Sequence, residues 1–411
     1  MNLEFFIAKR LISGKQDKSN ISAPIIKIAI VAIALGLIMM MIAIATGVGL
    51  QHKIREKVSA FNGHIQIYNY DNNTSEVSVN PVSIHQDFYP VFKSVEGIKH
   101  IQAVASKGGI IRTEETFEGI IAKGVGKDYD WGYFNEYLVN GKLPDYSEKR
   151  SEEVLMSEYL ANRLQLKTGD EFWAFFLKED VKEIPNQIKF KISGIYNSGY
   201  QEFDDKFLLV DIRHIQRMNK WKDDQVGGFE VFLDDFNKIK EKGNEVYGKT
   251  LSTLDSKTIT DKYYYIFEWL KLFDFNIAII IGIMIIVGGI NMIAALLVLI
   301  LERTQMIGVL KALGCNNWSI RKVFLYNAAY LIGIGIFWGN IIGLGLLLTQ
   351  KYFGLVKLDP STYYVTEAPV FINPIHIILL NLGVLILCLL MLLIPSYIIT
   401  RISPAKSIKF E

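Results

Sequence analysis

The chain has 411 residues, of which 50% are hydrophobic and 21% are charged, and its formal net charge is +2. A balance this close to neutral argues against a dedicated nucleic-acid binder, which usually carries a strong basic excess, so we expect no nucleic-acid partner. Its longest apolar stretches, near 28–50, 275–301, 323–349 and 375–399, exclude an ordinary soluble enzyme.

Each of these four stretches is long enough to cross about 30 Å of hydrocarbon as a helix. The sequence therefore predicts a membrane protein with four transmembrane α-helices and a large α+β extracytoplasmic domain inserted between the first and the second. The predicted segments are an interfacial helix with a linker at 1–24, span one at 25–50, the extracytoplasmic domain at 51–270, span two at 271–301, a cytoplasmic coupling helix at 302–322, span three at 323–349, an extracytoplasmic loop at 350–373, span four at 374–400 and a cytoplasmic tail at 401–411.

The N-terminal segment combines an apolar helical face with basic residues. Leu3, Phe6, Ile7 and Leu11 fall on one face of a helix, which indicates an interfacial helix on the inner leaflet. A frayed basic tail is the alternative. The sequence at Ala43-x-Ala45 mimics a signal-peptide cleavage site, but the apolar run is longer than an ordinary signal peptide's. The length favours a retained membrane anchor.

The distribution of Lys and Arg predicts the orientation of the chain. Basic residues are concentrated in the N-terminal tail, in the 302–322 loop and in the C-terminal tail, which indicates that these three segments are cytoplasmic. Lys53, Arg55 and Lys57 disagree, but they begin a very long translocated region, where the rule is weak.

Residues 51–270 alternate between strand-like and helix-like patterns. The strand-like runs, rich in β-branched and aromatic residues, are His64–Tyr68, Lys189–Ile195 and Phe207–Val210. Glu152–Leu164 and Asn237–Tyr247 are predicted as helices. This mixture predicts an α+β domain with its own core.

We expect no catalytic chemistry in this chain. The six histidines are scattered without the spacing of metal ligands, so no metal site is predicted. The spans carry almost no charge, although an intramembrane enzyme usually places ionisable residues there. We also expect the sequence to lack the P-loop pattern G-x-x-x-x-G-K-[ST], so that this chain does not bind nucleotide phosphates in the usual way. No other cofactor is expected to be bound by this chain.

The loop after span two contains a short apolar helix. Met306, Val309, Leu310 and Leu313 follow helical spacing, and Gly314 is suited to end the helix. Asn316 or Asn317 can cap the next one. An apolar stripe on a short cytoplasmic helix indicates a surface for a partner protein. Packing beneath the chain's own helix bundle is the alternative.

Several stretches along the chain resemble the FtsX-like/MacB-like permease superfamily of ABC transporters, and the likeness is strongest to lipoprotein-releasing permeases of the LolC/LolE type. The stretches that carry the resemblance are Phe5–Arg10, Gly47–His52, Phe61–His64, Glu302-Arg303 with Ile307–Gly314, Leu358–Tyr364 with Pro369, and Pro395-Ser396 with Ile402–Ala405 and Glu411. Met306 and Lys406 depart from the family pattern, which often has acidic residues there.

The resemblance implies the membrane subunit of an ABC complex. ATP and Mg²⁺ would then be bound by two copies of a separate ATPase subunit, and a second permease chain, identical or homologous, would complete the complex. The other implied partners are membrane lipids, a lipoprotein cargo and a periplasmic lipoprotein chaperone. The residues expected to contact the ATPase are Glu302, Arg303, Met306, Ile307, Gly308, Leu310, Leu313 and Gly314.

Two further sites follow from the same resemblance. The stretch Phe175–Lys189 corresponds to the hook that recruits the chaperone, with Phe175, Phe176, Ile184 and Pro185 as its contacts. An ordinary hairpin is the alternative. A cavity for acyl chains, between the first and second spans of paired subunits, would be lined by Met40, Met41, Ile44 and Phe275. The methionines suit variable lipid because thioethers are flexible, or they simply face the bilayer.

The function implied is ATP-driven extraction of lipoproteins from the outer leaflet of a bacterial inner membrane, with both termini cytoplasmic. A MacB-like efflux permease is one alternative, although MacB carries a fused ATPase domain. An FtsX-like transmitter that activates a cell-wall hydrolase is the other, although its outer domain is usually smaller than 51–270.

Overall fold

The computed structural model describes residues 3–13, 22–72, 75–113, 116–178 and 184–402. The linker 14–21, the centre of the expected hook at 179–183 and the tail 403–411 therefore lie outside the described residues. The helices are α1 (Leu3–Ser13), α2 (Ser22–Asn62), α3 (Glu158–Leu164), α4 (Gln201–Asp204), α5 (Ile212–Met218), α6 (Ile239–Lys249), α7 (Ile259–Lys262), α8 (Tyr264–Glu302), α9 (Thr304–Ala312), α10 (Asn317–Phe353), α11 (Pro360–Tyr363), α12 (Pro374–Ser396) and α13 (Ile398–Arg401).

The strands are β1 (Ile65–Asn69), β2 (Val82–Ser83), β3 (Ile98–Arg112), β4 (Phe117–Val125), β5 (Leu138–Gly141), β6 (Glu153–Ser157), β7 (Glu171–Phe176), β8 (Asn186–Tyr196), β9 (Phe207–Asp211), β10 (Gln225–Val226), β11 (Gly228–Leu233) and β12 (Leu254–Thr258). They all lie between the first and second long apolar helices. Four helices among the described residues are long and apolar enough to cross a membrane, which confirms the predicted fold class. We call them spans one (α2), two (α8), three (α10) and four (α12 with α13).

The chain divides into two compact units, a membrane unit and an inserted domain. The membrane unit contains residues 1–51, 270–357 and 367–411, and the inserted domain contains 52–269 together with 358–366. The short segment 358–366, from the loop between spans three and four, therefore belongs to the inserted domain.

Span three packs closely on span one because glycines recur at every fourth position. A Cβ added at Gly335 would lie 2.8 Å from Ile33, and one at Gly339 would lie 2.9 Å from Leu37. Gly343 continues the row against Met41. Small residues at this spacing let two helix backbones approach, which is how helices gain contact in lipid, where no hydrophobic effect drives them together.

Spans three and four are joined by a reciprocal amide pair. Asn340 Nδ2 donates to Asn381 Oδ1 at 2.9 Å, and Asn381 Nδ2 donates back to Asn340 Oδ1 at 3.1 Å. An amide facing hydrocarbon would otherwise lose its hydrogen bonds, so this pair fixes the register of the two spans.

Six strands of the inserted domain close into a ring. Antiparallel ladders join β3 to β4, β3 to β7, β7 to β8 and β6 to β9, and parallel ladders join β4 to β9 and β6 to β8. Each described strand of this ring is therefore paired on both sides. β1, β11 and β12 extend the sheet beyond β3.

The predicted secondary structure of this domain needs one correction. The segment Glu152–Leu164, predicted as one helix, begins as strand β6 and becomes helix α3 only after Ser157. The Ser157 hydroxyl accepts a hydrogen bond from the backbone N–H of Leu160 at 3.1 Å, so it is the N-cap of that helix. Residues 153–157 instead pair with β8 and β9.

A charged pair lies in the core of the inserted domain. Lys123 Nζ is 2.6 Å from Glu230 Oε1, and the two side chains are only 4% and 3% exposed. Lys123 also donates to the carbonyl oxygen of Phe61, and Gln102 donates to the other carboxylate oxygen of Glu230 at 2.8 Å. This network joins the end of helix α2 to strands β3, β4 and β11.

Asp204 is a second buried charge, next to the segment 358–366. Its carboxylate accepts hydrogen bonds from Ser198 Oγ at 2.6 Å and from the backbone N–H of Gly199 at 3.0 Å. Lys57 Nζ, which is near this carboxylate, donates to the carbonyl oxygen of Tyr364 at 3.0 Å. The cluster therefore holds the segment 358–366 on the inserted domain.

Burial raises the pKa of Asp204 from 3.8 to about 6, despite the opposing effect of its hydrogen bonds and of Lys57. Because the folded-state pKa is the higher one, the protonated carboxyl stabilises the fold at low pH, and this stability is lost as pH rises through 6. Between roughly pH 5 and pH 7.5 we expect the contribution of Asp204 to the free energy of unfolding to fall by about 1 kcal/mol.

The check is thermal unfolding of the detergent-solubilised protein and of its Asp204→Asn variant at both pH values. The difference in stability between wild type and variant should favour wild type more at the lower pH. Titrating groups that do not interact with Asp204 behave alike in both proteins and cancel in this difference. A difference that does not change with pH would contradict the assignment.

Candidate functional site

The candidate site is the 302–322 segment, in which a short helix lies between spans two and three. Span two ends at Glu302, helix α9 runs from Thr304 to Ala312, and Gly314 has a left-handed φ of 88°. Asn316, one of the two candidate caps, accepts a hydrogen bond from the backbone N–H of Ser319 at 2.7 Å. The segment is therefore a helix with a defined end, followed directly by span three.

One face of α9 is packed against the chain's own membrane unit. Ile307 is fully buried and Gly308 is buried, and both lie in the first half of the helix. Met306 and Leu310 are partly buried against the same apolar core, as is Cys315 after the helix. The alternative that the helix packs beneath its own bundle is thus correct for these residues.

The opposite face is apolar and exposed. Leu313 is 77% exposed, Val309 is 49% exposed and Trp318, in the first turn of span three, is 49% exposed. We call these three side chains the apolar patch. The predicted stripe is therefore divided, and of its four members only Val309 and Leu313 are free to contact a partner.

The remaining predicted contacts lie at the ends of α9. Glu302 and Gly314 are exposed, and Arg303 lies between span two and the helix, with its guanidinium 3.7 Å from the Glu302 carboxylate. Lys311 points toward the end of span four, and burial lowers the pKa of its ammonium group. Sequence reasoning missed Lys311 and Arg321, because their contacts are with residues far along the chain.

The predicted cavity residues are only partly brought together. Met41 and Ile44 line an apolar cavity with about 280 Å³ of empty space, open mouth included, whose other walls come from spans three and four and the residues just before span four. Met40 is instead packed in the membrane unit's core at 2% exposure, and Phe275 is 64% exposed on span two.

The predicted hook residues also differ in position. Phe176 is fully buried in the domain core and Phe175 is half-buried, so Phe176 is not available to a partner. Ile184 is 77% exposed, and Pro185 follows it just before strand β8. The described residues on either side belong to adjacent antiparallel strands, with Phe176 opposite Asn186.

The expectation that the sequence lacks the P-loop pattern is wrong, since Gly243–Thr250 has the spacing G-x-x-x-x-G-K-T. The structure does not form a P-loop there. A P-loop holds phosphate on free N–H groups between a strand and the start of a helix. Here Gly243–Lys249 lie within helix α6, with Lys249 at its C-terminal end and Thr250 as its C-cap. Gly243 instead allows close packing on Thr258, 2.5 Å from where its Cβ would be.

Among the described residues no cluster of side chains is suited to hold a metal ion.

Two family models match the chain. The MacB-like periplasmic core domain matches residues 28–245, and the C-terminal domain of FtsX-like permeases matches residues 278–404. The chain belongs to the FtsX/MacB family of ABC-transporter permeases. Membership of this family confirms the predicted resemblance. Family membership, together with the four apolar spans of the chain, indicates a multi-pass protein of the bacterial inner membrane.

Individual relatives of this permease are distant in sequence. It is 23% identical to the lipoprotein-releasing system transmembrane protein LolC of Xylella fastidiosa over 63% of this chain, and the match spans 65% of that relative's length. It is 22% identical to LolE of Haemophilus influenzae over 99% of both chains. The ABC transporter permease YtrF of Bacillus subtilis is 25% identical over 38% of this chain and 36% of its own.

Among solved structures, the extracellular domain of the ABC-type transporter YknZ is matched over 47% of this chain and 99% of its own, at 15% identity and a TM-score of 0.32.

Proposed function

We propose that this permease is the membrane subunit of a complex that releases lipoproteins from the outer leaflet of the bacterial inner membrane. Separate ATPase subunits hydrolyse the ATP, and the cargo passes to a periplasmic chaperone. The observation that carries the proposal is the likeness to lipoprotein-releasing LolC and LolE proteins, which for LolE extends over 99% of the chain.

The physics of the cargo explains why such a complex needs energy. Each buried CH₂ of an acyl anchor contributes about 0.8 kcal/mol to membrane binding, so a lipoprotein with several chains does not leave the bilayer unaided. An energy source on one side and an apolar acceptor on the other are both required. Span two separates the inserted domain from the 302–322 segment along the chain. The segment that contacts the energy source and the domain that contacts the acceptor can therefore lie on opposite sides of the membrane.

The apolar patch of Val309, Leu313 and Trp318 is the surface on which the ATPase docks. Large apolar side chains that remain exposed on a short helix are typical of a protein interface. In the proposed orientation both termini and the 302–322 segment are cytoplasmic, in agreement with the basic residues concentrated there, and the inserted domain is periplasmic.

The proposed chaperone contacts are Ile184 and Pro185, just before β8, rather than the buried Phe176. The proposed acyl-chain contact is the cavity lined by Met41 and Ile44, which has flexible and branched apolar walls.

Depletion of the permease in its native cell tests the function. Inner and outer membranes are then separated and the lipoproteins in each are measured. Lipoproteins should accumulate in the inner membrane, and re-expression of the wild-type chain should restore their normal distribution. If lipoproteins leave the inner membrane normally in depleted cells, lipoprotein release is not the function, and an efflux substrate or a cell-wall hydrolase becomes the object of search.

A further inference from the structure

Span four ends in a helix terminus whose carbonyl groups need partners. Helix α12 contains Pro395 and stops at Ser396, and the short helix α13 follows from Ile398 to Arg401. At this break the N–H of Tyr397 bonds to the carbonyl of Ile394 rather than to that of Leu393. The carbonyl groups at a helix end carry partial negative charge and attract cations.

Lys311 of helix α9 binds the carbonyl groups at the end of α13. Its ammonium group donates to the carbonyl oxygens of Ile399 at 2.6 Å and of Ile402 at 2.8 Å, with Thr400 at 3.3 Å. An ammonium group has three donors, and here all three contact carbonyl oxygens at the end of span four.

Arg321, at the start of span three, binds another part of this terminus. Its Nη2 donates at 2.9 Å to the carbonyl oxygen of Leu393, which the break leaves without a backbone N–H partner and which also accepts from the Ser396 hydroxyl at 2.8 Å. Its Nε donates to the hydroxyl of the fully buried Ser396 at 3.0 Å. The guanidinium also lies over the rings of Trp318 at 5.1 Å and Tyr397 at 5.8 Å.

We propose that Lys311 and Arg321 are positioning residues that fasten the 302–322 segment to the end of span four, so that a partner which displaces the segment moves span four as well as span two. Hydrogen bonds from charged donors are roughly twice as strong as neutral ones. Five of them join the 302–322 segment to the end of span four. Span two is connected to α9 covalently, through Arg303. Span four has no direct covalent connection to α9, and the hydrogen bonds of Lys311 and Arg321 link it to the 302–322 segment instead.

The inference rests on the proposed docking of an ATPase, and it is tested in the intact complex. A cysteine is introduced at Ile398, which is 42% exposed, after Cys315 and Cys388 are replaced, and it carries a spin label. The label's environment is compared between the nucleotide-free complex and the complex trapped with ATP and vanadate. The variants are Lys311→Met with Arg321→Met, which keep long side chains without the cations. Lys322→Met is the matched control, since this nearby cation lies beside Glu4 of helix α1.

In the wild-type background and in the control, nucleotide should change the signal from the label. In the double variant this change should fall by about tenfold, while the ATPase still co-purifies. The conservative pair Lys311→Arg and Arg321→Lys should restore most of it. Loss of the ATPase from the double variant would show that these cations serve docking, and would overturn the inference, as would a label that does not respond in wild type or responds equally in the double variant. If the cargo is not a lipoprotein, the movement can still be measured, so the two proposals fail separately.

Discussion

Replacement of Lys123 by methionine should destabilise the inserted domain by about 3–5 kcal/mol, because it leaves the Glu230 carboxylate buried without a cation. Glu230 is 3% exposed, so water cannot replace the lost ammonium group. Gln102 supplies one remaining donor, which satisfies part of the carboxylate but does not neutralise it. Thermal or denaturant unfolding of the solubilised protein measures the change.

Two controls separate this effect from a general loss of packing. Lys189→Met removes a partner of Glu171 from a surface pair in which the side chains are 47% and 54% exposed, and stability should hardly change. Glu230→Gln added to Lys123→Met should recover part of the loss, since it removes the unpaired charge. If Lys123→Met were as mild as the surface variant, the buried pair would not have the role assigned to it.

The change Leu313→Asp should abolish co-purification of the ATPase while the permease itself remains folded. Leu313 is 77% exposed, so a carboxylate there costs the fold little, but it would place a charge at the centre of an apolar contact. Loss of a central apolar contact in an interface costs about 2 kcal/mol or more, which corresponds to roughly 30-fold weaker binding. Affinity purification of the permease, followed by measurement of the ATPase retained, gives the result.

Leu355→Asp is the matched control, since that leucine is 69% exposed and lies outside the 302–322 segment. It should retain the ATPase. Leu310→Asp would be a misleading test of docking, because Leu310 packs against the membrane unit's core and its replacement would disturb the fold. An ATPase that remains bound to the Leu313→Asp variant would contradict docking on the apolar patch.

The membrane unit could be predicted from sequence because long apolar helices carry a strong local signal. The four spans, the helix after Glu302 and its end at Gly314 all depend on residues close together in the chain. The division of the apolar stripe could not be predicted in this way. Met306 and Leu310 are as apolar as Val309 and Leu313, and only the neighbouring spans decide which pair is covered.

Strand β6 shows where local propensity gives the wrong answer. Residues 153–157 have a pattern compatible with a helix, but β8 and β9 pair with them on both sides. Ser157 was the available signal, since serine before a helical run is a typical N-cap. The P-loop pattern at Gly243–Thr250 is a related case, because a motif depends on the strand and loop around it and this one lies in a helix.

A contact between residues that are far apart in the chain leaves no recognisable pattern in a single sequence. Lys311 reaches Ile399, and Lys123 reaches Glu230, across long separations in sequence. In the sequence each lysine resembles an ordinary surface cation. The structure shows that one is a buried core residue and that the other caps the end of a span.

The most direct test of the account is to purify the permease in its native complex under mild detergent and to identify every subunit. The account predicts a nucleotide-hydrolysing subunit and a second permease chain in the complex, with ATP hydrolysis that depends on the separate subunit. A purified permease that functions with no such subunit in its assembly would contradict the central claim.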